Sequence, residues 1–367
     1  MTNATFFARS YADARAKLYQ TARDTGGRVL HPRVMDGVRA ADGDELATDA
    51  IWYGPPAARS LVVITSGTHG VEGFAGSGAQ QALAHAAGSL LAGNDTAIVL
   101  VHAINPHGFS NLRRVNEHNV DLNRNFIDFD KPLPSSPSYE AWHRLLAPGD
   151  WRGAARAATE SRLTELVAEQ GALAVQAAAA GGQYAFPNGL FYGGTGPAWS
   201  NRTWRGILAD LCRTASRIVH VDIHTGLGPY GYGELVYTGG FDHPAHARAI
   251  KGLSSVGLRT MGELGSNCHQ VGGTMNQAVL DLEGRCEVVS VTLEYGTVTF
   301  DRLLHALGAD NWLHAHDGPE LAEAGAIAQT MLDAFYPDDL AWRDSVISRF
   351  AEVAGALVAM PTSSMRD

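Results

Sequence analysis

Leu61-Val-Val-Ile-Thr-Ser-Gly-Thr-His-Gly-Val-Glu-Gly73 opens as an apolar, β-branched run, breaks at a glycine turn, and should continue as a helix. A short continuous apolar run of this kind fits a strand buried on both faces of a parallel sheet. The turn that follows carries His69 and Glu72. An imidazole and a carboxylate three residues apart can face one point, and that pair suits Zn²⁺.

Three more runs repeat the pattern, at Ala97–Val101, Ile218–Ile223 and Val288–Leu293. Helix candidates lie at Gly76–Ala87, Arg202–Thr214, His243–Leu253 and Glu320–Phe335. The alternation predicts an α/β fold with a mixed, mainly parallel central sheet and helices on both faces. Gly27–Gly37 and Leu46–Gly54 read as a short antiparallel pair at its edge. Residues 128–200 break the rhythm with a Pro/Ser cluster, a helical piece, an Ala-rich run ending in Gly181-Gly182, and an aromatic, glycine-rich stretch from Gly189. They are expected to be an insertion over the active-site edge of a single catalytic domain spanning 1–367. Such a segment either shapes a pocket or lid, or is a surface excursion without a role. A disordered tail is expected after about residue 360.

In open parallel sheets, ligands bind outside the carboxyl ends of the strands. His69 follows the end of the first run, His102-Ala-Ile-Asn-Pro ends the second, His224 follows the third, and Glu294 closes the fourth. Distant parts of the chain therefore share one edge, and His224 is the candidate third ligand. A carboxylate ending so apolar a strand is costly unless paired, metal-bound or poised in a cleft. Glu294 is accordingly the candidate general base, with a salt bridge as the plain alternative. His220, Asp222 and His224 alternate along one strand and face the same side. Asp222 would orient a ligand or help hold a second metal, the former being preferred.

A second dense stretch, residues 105–126, packs Arg113, Arg114, Asp121, Asn123 and Arg124 between a strand and the insertion. Arginine suits bidentate capture of a carboxylate, and asparagine adds orienting donors. One arginine would hold a substrate carboxylate while another polarises a scissile carbonyl. Asp121 would orient a ligand histidine. A local Asp–Arg network is the alternative, and for Arg113 it is preferred.

Composition excludes several classes. The 367 residues are 45% hydrophobic and 18% charged, as in ordinary globular proteins. The formal net charge is −10, with no Lys/Arg cluster to meet a phosphate backbone, so nucleic acid is not an expected partner. No apolar stretch approaches the roughly 20 residues that span a bilayer. Met1–Arg23 reads as an amphipathic helix, not a signal peptide. Cys212, Cys268 and Cys286 are odd in number and lack a CxxC spacing, which fits a reduced, cytoplasmic protein. Cys268 beside His269 is read as coincidence, not as a thiol nucleophile. Oligomeric state is left open.

Taken in order, these residues resemble the zinc carboxypeptidase superfamily, the carboxypeptidase A-like fold that includes the aspartoacylase and succinylglutamate desuccinylase branch. The carriers are His-x-x-Glu at His69/Glu72, Asn-Pro-x-Gly at 105–108, and Arg-x-Asn at 114–116 leading to Val-Asp-Leu-Asn-Arg-Asn-Phe at 120–126. Asp-x-His at Asp222/His224 and Glu294 complete the set, which spans Leu61 to Thr297. The resemblance implies an α/β/α sandwich holding one Zn²⁺ per chain on His69, Glu72 and His224. It implies Glu294 as general base, Arg114 as oxyanion donor, and Asn123 and Arg124 as holders of a terminal carboxylate. Asp121 and Asp222 would support the ligand histidines. The chain departs at His107, where an acidic residue is common, and has no Tyr between Tyr237 and Tyr295 to match the substrate-contacting tyrosine.

The expected activity is zinc-dependent cleavage of an amide bond in a small substrate with a free carboxylate, that of a carboxypeptidase-type metallopeptidase. An N-acyl amino acid deacylase is the alternative. A third reading is a non-catalytic metal- or nucleotide-binding protein, since Gly73-Phe-Ala-Gly-Ser-Gly follows a strand. It lacks the lysine of a P-loop and the Rossmann spacing.

Overall fold

The computed structural model describes residues 3–40, 42–316 and 318–361. The tail expected after about residue 360 falls outside them, apart from its first residues. Helix α1 (Tyr11–Thr25) starts where the Ser10 hydroxyl accepts from the Asp13 N–H and ends at Gly26 in the left-handed region. Strands β1 (Arg28–Val29) and β2 (Arg33–Arg39) both pair antiparallel with β3 (Glu45–Tyr53). The first half of the expected edge pair is thus two strands, broken over residues 30–32.

The chain then runs through β4 (Ser60–Ser66), α2 (Gly73–Leu90), β5 (Thr96–His102) and α3 (Pro106–Ser110). Next come α4 (Pro137–Leu146), α5 (Gly153–Gln170), α6 (Ala172–Ala180) and α7 (Trp199–Leu211). The last part holds β6 (Arg217–Tyr230), β7 (Gly233–Tyr237), α8 (Pro244–Leu253), β8 (Arg259–Thr260), α9 (Gln277–Leu280) and β9 (Glu287–Gly296). It closes with α10 (Phe300–Ala315), α11 (Ala324–Phe335) and α12 (Leu340–Ala359). The four apolar runs coincide with β4, β5, β6 and β9. Helices α10 and α12 go beyond the expected set.

The sheet order is β1-β3-β5-β4-β6-β9-β7-β8. The four central strands, β5, β4, β6 and β9, are mutually parallel, and β3 and β7 flank them antiparallel. The result is the expected mixed α/β sheet, parallel where it is most deeply buried. Its two faces follow from the alternation along β6. Ile223, with Ser66 of β4, faces α2, where a Cβ on Gly76 would stand 2.6 Å from the Ser66 side chain. His220 faces the other way, its ring tilted against Trp204 of α7 with centroids 5.3 Å apart. Helices therefore cover both faces, with α1 and α12 packed on α2.

The segment at 128–200 supplies α4, α5 and α6. These helices pack on one another and, through α5 and α6, on α10. Gly73-Phe-Ala-Gly-Ser-Gly lies inside α2, with Gly73 against Phe109, Gly76 against Ser66 and Gly78 against Phe7. Those glycines permit close packing and leave no loop to cradle a phosphate.

Candidate functional site

The carboxyl ends of β4 and β5 are tied together. Gly67, at φ +67°, turns the chain out of β4. The Ile104 N–H donates to the Ser66 carbonyl and the Asn105 N–H to the Gly67 carbonyl, at 3.0 and 2.8 Å. Asn105 caps α3 by accepting from the Gly108 N–H at 2.9 Å. Gly70 lies so close to this turn that a Cβ there would stand 2.0 Å from the Gly108 carbonyl carbon. The turn carrying His69 and Glu72 is thereby clamped to the stretch carrying Arg113 and Arg114, whose carbonyls accept from the Val71 and Gly70 N–H groups.

On that base, three side chains converge. His69 Nδ1 lies 2.9 Å from Glu72 Oε1, His224 Nδ1 lies 2.8 Å from Glu72 Oε2, and the two Nδ1 atoms are 3.1 Å apart. All three residues are buried. Ligands about 2.0–2.1 Å from a tetrahedral zinc are separated by about 3.3 Å, so these donors sit within about 0.5 Å of such edges, on the short side. The far nitrogen of each imidazole faces a carboxylate: His69 Nε2 is 3.1 Å from Asp121 Oδ1, and His224 Nε2 is 2.6 Å from Asp222 Oδ2. A carboxylate behind a histidine fixes the ring's orientation and raises its basicity, the usual support of a metal ligand.

Each supporting carboxylate is itself anchored. Asp222 Oδ1 accepts from the Thr65 and Thr68 hydroxyls at 2.6 and 2.9 Å. Asp121 accepts from Arg114 Nε at 3.2 Å and the Asn123 N–H at 3.0 Å. Arg114 Nη1 also donates to Glu72 at 3.1 Å, and its Nη2 has no hydrogen-bond partner among the described residues. Burial alone would raise Glu72, but His69 and His224 outweigh it and hold the carboxyl below the usual range. Burial likewise opposes ionised Asp121, and Arg114 and His69 overcome it. His224 is raised because Asp222 and Glu72 outweigh its burial.

Glu294 behaves in the opposite way. It pairs in register with His224 across β6 and β9 and opens into the same cleft. Burial and the Glu72 charge push its carboxyl up to about 7, and its Oε1 accepts from the Leu227 N–H at 2.9 Å. Two carboxyls in one cleft are thus driven apart, one held ionised and one poised near neutrality. That separation marks candidate acid–base sites.

The remaining residues divide. Asn123 Oδ1 accepts from the Met275 N–H at 2.8 Å, and its Nδ2 lies 3.2 Å from His224 Nε2. Arg124 is buried and donates to the carbonyls of Ala180 and Asn123, with no carboxylate hydrogen-bonded to it among the described residues. Both line the cleft. Arg113 is drawn away, donating to Asp310 of α10 and to Asn119. Cys268 lies in the cleft wall, but burial, with Glu294 and Glu234 nearby, raises its thiol well above the usual range. A neutral thiol is a poor nucleophile.

The cleft and the solvent at its mouth together take up about 800 Å³. Phe191, Phe300, Leu303, Leu307 and Phe335 form an apolar wall, while Gln176, Thr238 and His269 are polar groups elsewhere in the lining. Sequence reasoning passed over all of these but His269, which it weighed only as a neighbour of Cys268. Phe191 had a signal in its aromatic, glycine-rich surroundings; Gln176, inside an Ala-rich run, had none. With Gln176 and Ala180 of α6 and Phe191 in its lining, the cleft is built partly by the 128–200 segment.

Residues 7–349 match the sequence profile of a family described as "Protein of unknown function (DUF2817)". The chain belongs to that family. No curated protein matches it by sequence. Among solved structures, this DUF2817 chain is similar to carboxypeptidase A from Helicoverpa armigera, at 14% identity over 96% of this chain and 74% of that one, with a TM-score of 0.47. It is also similar to bovine thrombin-activatable fibrinolysis inhibitor in complex with tick carboxypeptidase inhibitor, at 14% identity, 94% and 98% coverage, and a TM-score of 0.42. A third is murein-tripeptide amidase MpaA from Escherichia coli O157, at 15% identity, 84% and 95% coverage, and a TM-score of 0.35. These are likenesses; what the DUF2817 cleft can do is read from its own side chains. Among the described residues, no helix is long and apolar enough to cross a membrane.

Proposed function

We propose that this protein is a zinc-dependent hydrolase that cleaves an amide bond in a small substrate with a free carboxylate, as a carboxypeptidase-type metallopeptidase. The observation that carries the reading is the convergence of His69, Glu72 and His224, each imidazole backed by its own carboxylate, in one cleft with Glu294. Held by those three residues, one Zn²⁺ per chain would supply a Lewis acid and lower the pKa of water to about 7.

The protein's own groups do the rest. Glu294, poised near neutrality, takes the proton of the attacking water and returns it to the leaving amine. Arg114, kept in place by Asp121 and Glu72, offers Nη2 to the carbonyl oxygen as charge develops. Asp121 and Asp222 keep the ligand rings in orientation. Arg124, a buried cation hydrogen-bonded only to carbonyls among the described residues, is left for a substrate carboxylate, with Asn123 beside it. In this reading residues 1–367 form one catalytic unit, and the 128–200 segment is a wall of its cleft. An odd number of cysteines with no CxxC spacing supports a cytoplasmic setting.

Deacylation of N-acyl amino acids is the second reading, favoured by the apolar wall of Phe191, Phe300, Leu303, Leu307 and Phe335, which would receive an acyl chain. Metal analysis of the purified protein, with hydrolysis of blocked dipeptides and N-acyl amino acids before and after chelation, tests both. About one zinc per chain and chelator-sensitive cleavage are expected, and the faster substrate class decides between the readings. Protein that cannot be loaded with zinc and cleaves nothing removes the hydrolase.

A further inference from the structure

Several polar groups in the cleft lack partners. Gln176 Oε1 and Thr238 Oγ1 belong to residues only 4% and 7% exposed, and neither atom has a hydrogen-bond partner among the described residues. Neither ring nitrogen of His269 has one. The three come from separate elements: Gln176 from α6, Thr238 from the residue after β7, His269 from the loop leading to α9. All line the cleft with Glu294 and Arg124.

Buried polar groups normally find partners, as others around this cleft do. Asn276 Nδ2 donates to Ser290 and to the Val291 carbonyl, and the Thr225 hydroxyl donates to the Phe335 carbonyl. Unsatisfied groups from three separate elements in one cleft are what a bound ligand would complete. None belongs to the hydrolytic set described above.

Their chemistry narrows the ligand. Gln176 Oε1 is an acceptor and needs a donor. The Thr238 hydroxyl can do either. Burial and the Arg124 charge hold the His269 imidazole down at about 4, so the ring is neutral and presents one donor and one acceptor. These three offer no charge to balance a carboxylate or an amine. A primary carboxamide has two N–H donors and a carbonyl acceptor, matching the mixed set, and Val236, Met261 and Val271 in the same lining suit an aliphatic stem. All three share the cleft lining with Arg124, the cation left for the substrate carboxylate, whose Nε donates to the Ala180 carbonyl one turn beyond Gln176 on α6.

We propose that Gln176, Thr238 and His269 recognise an uncharged, hydrogen-bonding side chain, a carboxamide above all, on the substrate residue that bears the free carboxylate. The proposal rests on the hydrolase reading.

The test uses the zinc-loaded full chain and benzyloxycarbonyl-alanyl dipeptides ending in Gln, Asn, Met, Leu, Glu or Lys. Gln should exceed Met, its near match in length, by about tenfold or more in kcat/KM, with Glu and Lys below both. Thr238→Val, His269→Phe and Gln176→Leu should each cut the Gln-to-Met ratio by about tenfold, the change expected for one lost hydrogen bond. Calorimetric titration with free glutamine and free methionine reads the same preference without turnover. Cleavage that favours Met or Leu, or a ratio unmoved in all three variants, overturns the recognition proposal while the hydrolase reading stands. No cleavage of any dipeptide or of the matching N-acetyl amino acids removes both.

Discussion

Glu294→Gln should raise the stability of the metal-free protein at alkaline pH while it abolishes turnover of the metal-loaded one. Burial and the neighbouring Glu72 charge move the Glu294 carboxyl from 4.5 up to about 7. A carboxyl raised in the folded state binds its proton more tightly there than in the unfolded chain. The stabilisation is full below about pH 4.5 and is lost as the pH rises through 7. A shift of about 2.5 units corresponds to about 3 kcal/mol. Glutamine keeps the oxygen that accepts from the Leu227 N–H and never ionises, so above pH 7 the variant escapes the loss. With an unfolding entropy of about 2.1 cal/mol/K per residue over 367 residues, about 3 kcal/mol is about 4 °C in Tm. The assay is thermal unfolding of wild type and variant after chelation, from pH 5 to 8.5, read as a difference so that other titrations cancel. The variant should gain about 4 °C at pH 8, and the gap should close toward pH 5. A difference that does not change with pH, or a wild type that is the more stable at pH 8, refutes the burial argument for Glu294.

Other perturbations separate binding from chemistry. His224→Ala or Glu72→Gln should bring zinc content close to zero, measured by elemental analysis after dialysis. Asp121→Asn should lower metal affinity about 10- to 100-fold in a competition titration with a chelating dye, because it loosens the ring of His69 without removing a ligand. Arg114→Lys should reduce kcat about 10²- to 10³-fold at matched zinc content, since an ammonium cannot reproduce the guanidinium's bonds to both Asp121 and Glu72. Gly70→Ala should destabilise the protein by several kcal/mol and lower its Tm, because its methyl group would meet backbone at 2.0 Å; an unchanged Tm would mean the two turns are not clamped.

Much of the sheet was readable because its central strands are buried on both faces and so must be continuous apolar runs. That property marked β4, β5, β6 and β9, and strand ends in such a sheet point one way, which brought His69, His224 and Glu294 to one edge. Other features lacked a local signature. The break between β1 and β2 did carry one, Pro32, whose missing N–H cannot join the ladder, but the expected pair ran straight through it. Helix α10 shows its apolar spacing in Leu303, Ala306 and Leu307, yet its place in the cleft comes from packing with the 128–200 segment. The anchoring of Arg124 on the Ala180 carbonyl joins residues 56 apart, and no pattern in either stretch announces it. Gln176 is legible as a cleft residue only once α6 is in place.

Because β4 lies between β5 and β6, its two edges are completed at very different times during synthesis. The β5 edge is supplied within about one helix of the chain. The β6 edge must wait for residues near 224, and the two facing Nδ1 atoms lie 155 positions apart. At ribosomal speeds of about 5–20 residues per second, that interval is roughly 8–30 s. Throughout it the nascent chain presents an apolar strand edge beside a half-formed His69–Glu72 pair, the state most exposed to wrong pairing. Arrival of β6 closes the edge and delivers the last imidazole in one event, so assembly of the centre and completion of the sheet are the same step.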